Sequence, residues 1–108
     1  MPNVTIYIPA DEMPSDGALD DLSTQCAELC TGILLAKLAN VHVIYVAVRH
    51  GLGNPIFAEI QYRLEPFRSP AVMERFMDEL DEVLKRNIGR TARIRCFGHI
   101  ASSIHARN

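Results

Sequence analysis

The chain has 108 residues, 48% of them hydrophobic and 22% charged, enough to bury one core without staples. Eleven Lys and Arg against 13 Asp and Glu leave a formal charge of −2, which gives no overall attraction to nucleic acid or to an acidic membrane. No apolar stretch reaches the roughly 18–20 residues of a membrane span, no charged-then-apolar leader opens the chain, and three cysteines, an odd count, fit a reducing cytoplasm better than a disulfide framework.

The first element is an alternating strand, Pro2-Asn3-Val4-Thr5-Ile6-Tyr7-Ile8, with Val4, Ile6 and Ile8 on one face. It opens on proline, which a strand tolerates at its first residue because no ladder donor is needed there. If Met1 is removed, Pro2 becomes a terminal secondary amine, a base or nucleophile that no side chain offers. Apolar walls and nearby cations bring such an amine into use near neutral pH. After a turn-rich stretch, Leu19, Leu22, Cys26, Leu29, Cys30, Ile33 and Leu34 form a helical stripe, with Ser15 or Asp16 as N-cap and Asn40 closing the segment. Val41, Val43, Tyr45 and Ala47 then start a second strand whose other face carries Ile44, Val46 and Val48. Apolar on both faces, it reads as central and buried.

The second half repeats this order. A loop, Gly51 to Pro55, leads to a strand at about 56–64. Ser69-Pro70 starts a helix burying Met73, Phe76, Leu80, Val83 and Leu84, Gly89 stops it, and a last strand covers about 92–98. An offset of 54 positions places Ile6 on Ile60, Ser15 on Ser69, Leu22 on Phe76 and Cys30 on Leu84 without a gap. The expected fold is therefore α+β: one domain over residues 1–108, with an internal repeat in 1–50 and 55–108. Two consecutive β-α-β units form a four-stranded mixed sheet with two helices on one face. The other face, with Tyr7, Phe57, Tyr62, Ile94 and the apolar residues of strand two, would be an association surface, hence an oligomer.

Several constellations have a plainer reading. Cys26 and Cys30 stand at i, i+4, yet both lie on the apolar stripe and align with Leu80 and Leu84, so core packing accounts for them and no metal is expected. The basic run Lys85 to Arg95 partly complements the C-terminus of the second helix and lacks interleaved stacking aromatics, so nucleic acid is not an expected partner. Gly51-Leu52-Gly53 has no following Lys-Ser/Thr and is no phosphate loop. Arg49-His50, ending strand two beside a Gly-rich loop, reads first as a solvated strand end; facing a pocket or a neighbouring subunit is the alternative that makes His50 a candidate substrate contact.

Met1-Pro2 at the head of a strand, Asn40-Val41-His42-Val43, Ile56-Phe57 leading to Tyr62-Arg63, Phe67-Arg68-Ser69 and the ending Cys96-Phe97-Gly98-His99-Ile100-Ala101 together resemble the tautomerase superfamily over the whole chain. The resemblance implies a cytoplasmic, cofactor-independent enzyme, a homotrimer, with the Pro2 amine as general base acting on a small 2-oxo or enol carboxylic acid. It also implies that Arg63 and Arg68, around the third strand and second helix, hold the substrate carboxylate, as a guanidinium fork beside a helix N-terminus is suited to do. Glu28 stands where one 3-chloroacrylic acid dehalogenase type carries a histidine, and is a further candidate contact. Against those dehalogenases, Cys96 takes the place of a tyrosine and no carboxylate follows Gly98, which favours proton transfer over water activation. A decarboxylase, hydratase or dehalogenase on the same scaffold is the first rival. A non-enzymatic ferredoxin-like binding module is the second.

Overall fold

The computed structural model describes residues 1–108. Four strands, β1 (Asn3–Pro9), β2 (His42–Val48), β3 (Ile56–Arg63) and β4 (Ala92–His99), form one sheet in the order β2-β1-β3-β4. β1 runs parallel to β2 and β3 parallel to β4, while the central pair β1–β3 is antiparallel. The helices α1 (Asp16–Gly32) and α2 (Pro70–Ile88) pack against each other on one face of this mixed sheet. The two β-α-β units that the repeat predicts thus meet at their first strands.

Each helix starts at a serine. Ser15 accepts from the Ala18 amide at 3.2 Å and Ser69 from the Val72 amide at 3.3 Å, each satisfying a donor that the helix leaves open. Pro70 then fits the first helical position, and Gly89, at φ 80, ends α2 in the left-handed conformation. Between helices and sheet lies a core of 18 buried side chains, including Ile6, Ile8, Leu22, Phe76 and Leu80. Burying each large apolar side chain stabilises the fold by about 1.5–3 kcal/mol before entropy is counted.

Three expectations need correction. β1 begins at Asn3 rather than at Pro2, although the Pro2 carbonyl already accepts from the His42 amide at 3.1 Å. β2 is an edge strand, not a central one: Val43 and Tyr45 turn toward the helices, whereas Ile44, 43% exposed, and Val46 lie on the open face. Its second apolar face has no partner within the chain. Tyr62 and Ile94 are not on the open face, because strand alternation sets them with Ile60 and Ala58 on the helix side. The open face instead holds Tyr7 stacked on Phe57, with centroids 5.7 Å apart, next to Ile44 and Val46. The β3–β4 half is polar, with Glu59, Gln61, Arg93 and Arg95.

The repeat is also not gapless throughout. Asn3 pairs with His42, 39 positions on, but Ile56 pairs with Ala92, only 36 positions on. The first unit therefore carries three extra residues between its paired strands, and the α1–β2 connection itself has nine residues, 33–41, against three, 89–91, after α2. That connection leaves the helix, passes Leu35 at φ 55 and makes a short 3-10 turn over Leu38–Asn40.

Candidate functional site

The end of the sheet where β1 and β2 begin and β3 and β4 finish carries a cavity of about 480 Å³. Met1, Lys37, Arg63, Glu65, Phe67 and Arg68 are among the residues lining it. The Pro2 side chain is fully buried directly behind Met1. The longer α1–β2 connection forms one wall of the cavity, through Leu35, Ala36, Lys37 and Asn40. The departure from the internal repeat thus builds part of the site.

The opposite wall follows from turn chemistry. Arg63 closes β3 on its open side, and the Leu64 amide donates to the His99 carbonyl at 2.9 Å, holding the strand ends together. Glu65-Pro66-Phe67-Arg68 is a turn in which the Arg68 amide donates to the Glu65 carbonyl at 2.9 Å, with proline at the second position, where its fixed φ fits. The chain is thereby folded back, so that Arg68 Nη1 donates to the Arg63 carbonyl at 2.7 Å and Nε to the Leu34 carbonyl at 2.9 Å. Arg68 is 9% exposed, its guanidinium 5.2 Å from the Phe67 ring centroid.

Three cations line this cavity. None of Lys37, Arg63 and Arg68 belongs to an ion pair, and Glu65 is the one carboxylate side chain among the lining residues. A larger cavity, about 690 Å³, lies at the far end of the sheet between Asp11, Arg49, His50 and Arg90. There Arg90 is ion-paired with Glu12, so that charge is already compensated. The N-terminal cavity is smaller but brings together three cations without ion-pair partners, against two, Arg49 and Arg93, beside a third cavity of about 320 Å³, and it alone lies at the end of the sheet that carries Pro2.

The fold brings Pro2, Arg63 and Arg68 to one end of the sheet and leaves two other candidates elsewhere. Glu28 is exposed on α1 and lines none of the three cavities. His50 follows the far end of β2, roughly 20 Å from its start at ~3.3 Å per residue, and lines the two other cavities. Within one chain neither reaches the N-terminal cavity. Lys37 escaped the sequence reading, although it is the sole Lys or Arg in the first 48 residues.

The three cysteines do not add to the site. Burial pushes the Cys26 thiol up to about 12 and those of Cys30 and Cys96 up to about 11, with the Arg68 charge pulling Cys30 back in part. They are neutral packing groups, as the apolar stripe implies for the first two.

The sequence matches no family model and no curated protein. The fold does match solved structures. A native fused 4-OT superposes with a TM-score of 0.84 over 97% of this chain and 92% of that chain, at 12% identity. Macrophage migration inhibitory factor of Toxoplasma gondii gives 0.78 over 97% and 96%, at 14% identity, and malonate semialdehyde decarboxylase 0.74 over 99% and 92%, at 11%. The chain therefore has the fold of the tautomerase superfamily. Within that fold it takes the fused form, two β-α-β units in one chain.

Proposed function

We propose that this protein is a cofactor-independent tautomerase of small 2-oxo or enol carboxylic acids, with Pro2 as its general base once Met1 is removed. The observation that carries this reading is the fully buried Pro2 beside a cavity lined by three cations without ion-pair partners. With Met1 attached, the Pro2 nitrogen is an amide without a basic lone pair. As the first residue it is a secondary amine, and both burial and nearby cations favour its neutral, basic form.

The substrate carboxylate binds to the cationic wall, which places the carbon next to its carbonyl near the Pro2 nitrogen. That nitrogen takes a proton from the carbon and the electron pair moves onto the carbonyl oxygen, giving an enolate. The surrounding positive charge stabilises the enolate more than the neutral ketone. The protonated amine then returns the proton at another carbon or at oxygen. The fold likeness supports the reading: one structure of this fold, Pt0534, is inactivated by 2-oxo-3-pentynoate, itself a 2-oxo compound. Another, a fused 4-OT, is an asymmetric trimer. A homotrimer here would cover Ile44, Val46 and the Tyr7–Phe57 pair, for which the chain supplies no cover.

The test is turnover of phenylenolpyruvate, with intact mass verifying loss of Met1. The expected result is measurable ketonisation that falls at least about a hundredfold in Pro2→Ala, the usual scale for a general base. Undiminished turnover by that variant would sink the mechanism.

A further inference from the structure

Arg68 is a buried cation that no carboxylate balances. Such a group is retained only where other partners satisfy it. Its two partners within the chain are backbone carbonyls on different segments: Leu34, entering the α1–β2 connection, and Arg63, ending β3. These segments carry Lys37 and the Arg63 side chain, the other two cations of the cavity. Leu34 immediately precedes Leu35, whose φ of 55 is a conformation that a branched side chain seldom adopts and that needs support from its surroundings. The guanidinium is a rigid planar fork, so fixing both carbonyls on it fixes the two segments relative to each other. Arg63 and Lys37, by contrast, are exposed and free to meet a ligand.

We infer that Arg68 is a positioning residue: it clamps the Leu34 and Arg63 carbonyls, and Arg63 and Lys37 are the groups that touch the substrate carboxylate. The inference rests on the reading of the cavity as a carboxylate site and divides the labour within it. The resemblance of the sequence alone implies instead that Arg63 and Arg68 hold the carboxylate as a pair.

The test is a set of crotonate affinities measured by titration calorimetry on the full chain with Met1 removed. Arg63→Met is expected to weaken crotonate about tenfold, as for a charge-assisted contact, and Lys37→Met about threefold, because that side chain is exposed. Arg68→Met alone is expected to cost about tenfold, acting through both. Added to the Arg63→Met/Lys37→Met pair, it is expected to cost less than about twofold, since nothing remains for it to align. A further tenfold loss in that background would make Arg68 a direct ligand and overturn the inference, as would a loss below twofold in the otherwise unchanged protein. Should Arg68→Met fail to fold, Arg68→Lys replaces it. Lysine keeps the charge but not the fork, so most of the loss should persist, and full retention of affinity overturns the clamp. Absence of crotonate binding to the unsubstituted protein overturns it too, because no anion site would exist to be aligned. Binding needs no proton transfer, so these outcomes are separate from the Pro2→Ala result. Turnover that survives Pro2→Ala removes the base and leaves the clamp standing.

Discussion

Tyr62 and Gly98 are partners across the β3–β4 pair, and a Cβ at position 98 would lie 2.9 Å from the Tyr62 hydroxyl and ring and 2.5 Å from the Leu64 side chain. The glycine is what lets the tyrosine ring lie across β4. The ring thus leans away from β1, although continuing the β1–β3 register one step beyond Asn3–Gln61 sets Pro2 opposite the Tyr62 backbone. Leu64 is exposed and can move aside, but Tyr62, 8% exposed, cannot easily do so. Gly98→Ala should therefore cost about 1–3 kcal/mol, the range for overpacking. Urea midpoints check it. In a Tyr62→Leu background most of the stability cost should vanish, and an undiminished cost there would show that the ring is not the obstacle.

The helix caps give a second expectation. Ser15→Ala and Ser69→Ala each remove an oxygen that accepts a first-turn amide, at 3.2 and 3.3 Å. Each should lower unfolding free energy by about 1 kcal/mol, while substitution by glycine should cost only a few tenths. Equilibrium urea unfolding resolves that difference, and equal losses for alanine and glycine would argue that neither serine caps its helix.

Stability should fall at alkaline pH for a reason located in the thiols. Burial holds Cys26 near 12 and Cys30 and Cys96 near 11, above the ordinary 9.0. The folded state therefore favours the neutral thiol, and its advantage is complete below about pH 9. As pH rises toward 11–12 the unfolded chain loses its thiol protons first, at up to about 1.4 kcal/mol per pH unit per thiol. Urea unfolding at pH 8 and pH 10 measures the decline, and Cys26→Ala should lessen it. An identical pH slope in that variant would remove Cys26 from the account.

The open sheet face predicts assembly. Ile44→Glu places a charge among Val46, Tyr7 and Phe57, where a partner would have to bury it unpaired. Sedimentation should give about three times the 12.1 kDa chain mass for the unsubstituted protein and a single chain for the variant. Unchanged mass in Ile44→Glu would mean that this face lies outside the interface.

Local pattern carried much of the architecture. Apolar alternation in β1 and β3, the serine caps and Gly89 are each written within a few residues of where they act, which is why the elements and their repeated order were legible. The strand order was not. β2 is apolar on both faces yet lies at an edge, with its second apolar face uncovered within the chain, and nothing within seven residues distinguishes that from a central strand.

The site divides in the same way. The sequence by itself determined that Pro2 heads the first strand, that two arginines flank the turn after β3, and that a lone lysine lies in the otherwise cation-free first 48 residues. Only the tertiary structure decided which of these meet. Antiparallel pairing of β1 with β3 brings the start of one to the end of the other, so Pro2, Arg63 and Arg68 converge. The longer connection before β2 brings Lys37 to the same cavity, while Glu28 stays on the helix surface and His50 stays at the far end of a strand. The physical reason is distance. Residues tens of positions apart are joined by pairing register and by Arg68 bridging two carbonyls, and neither leaves a trace in any short stretch of sequence.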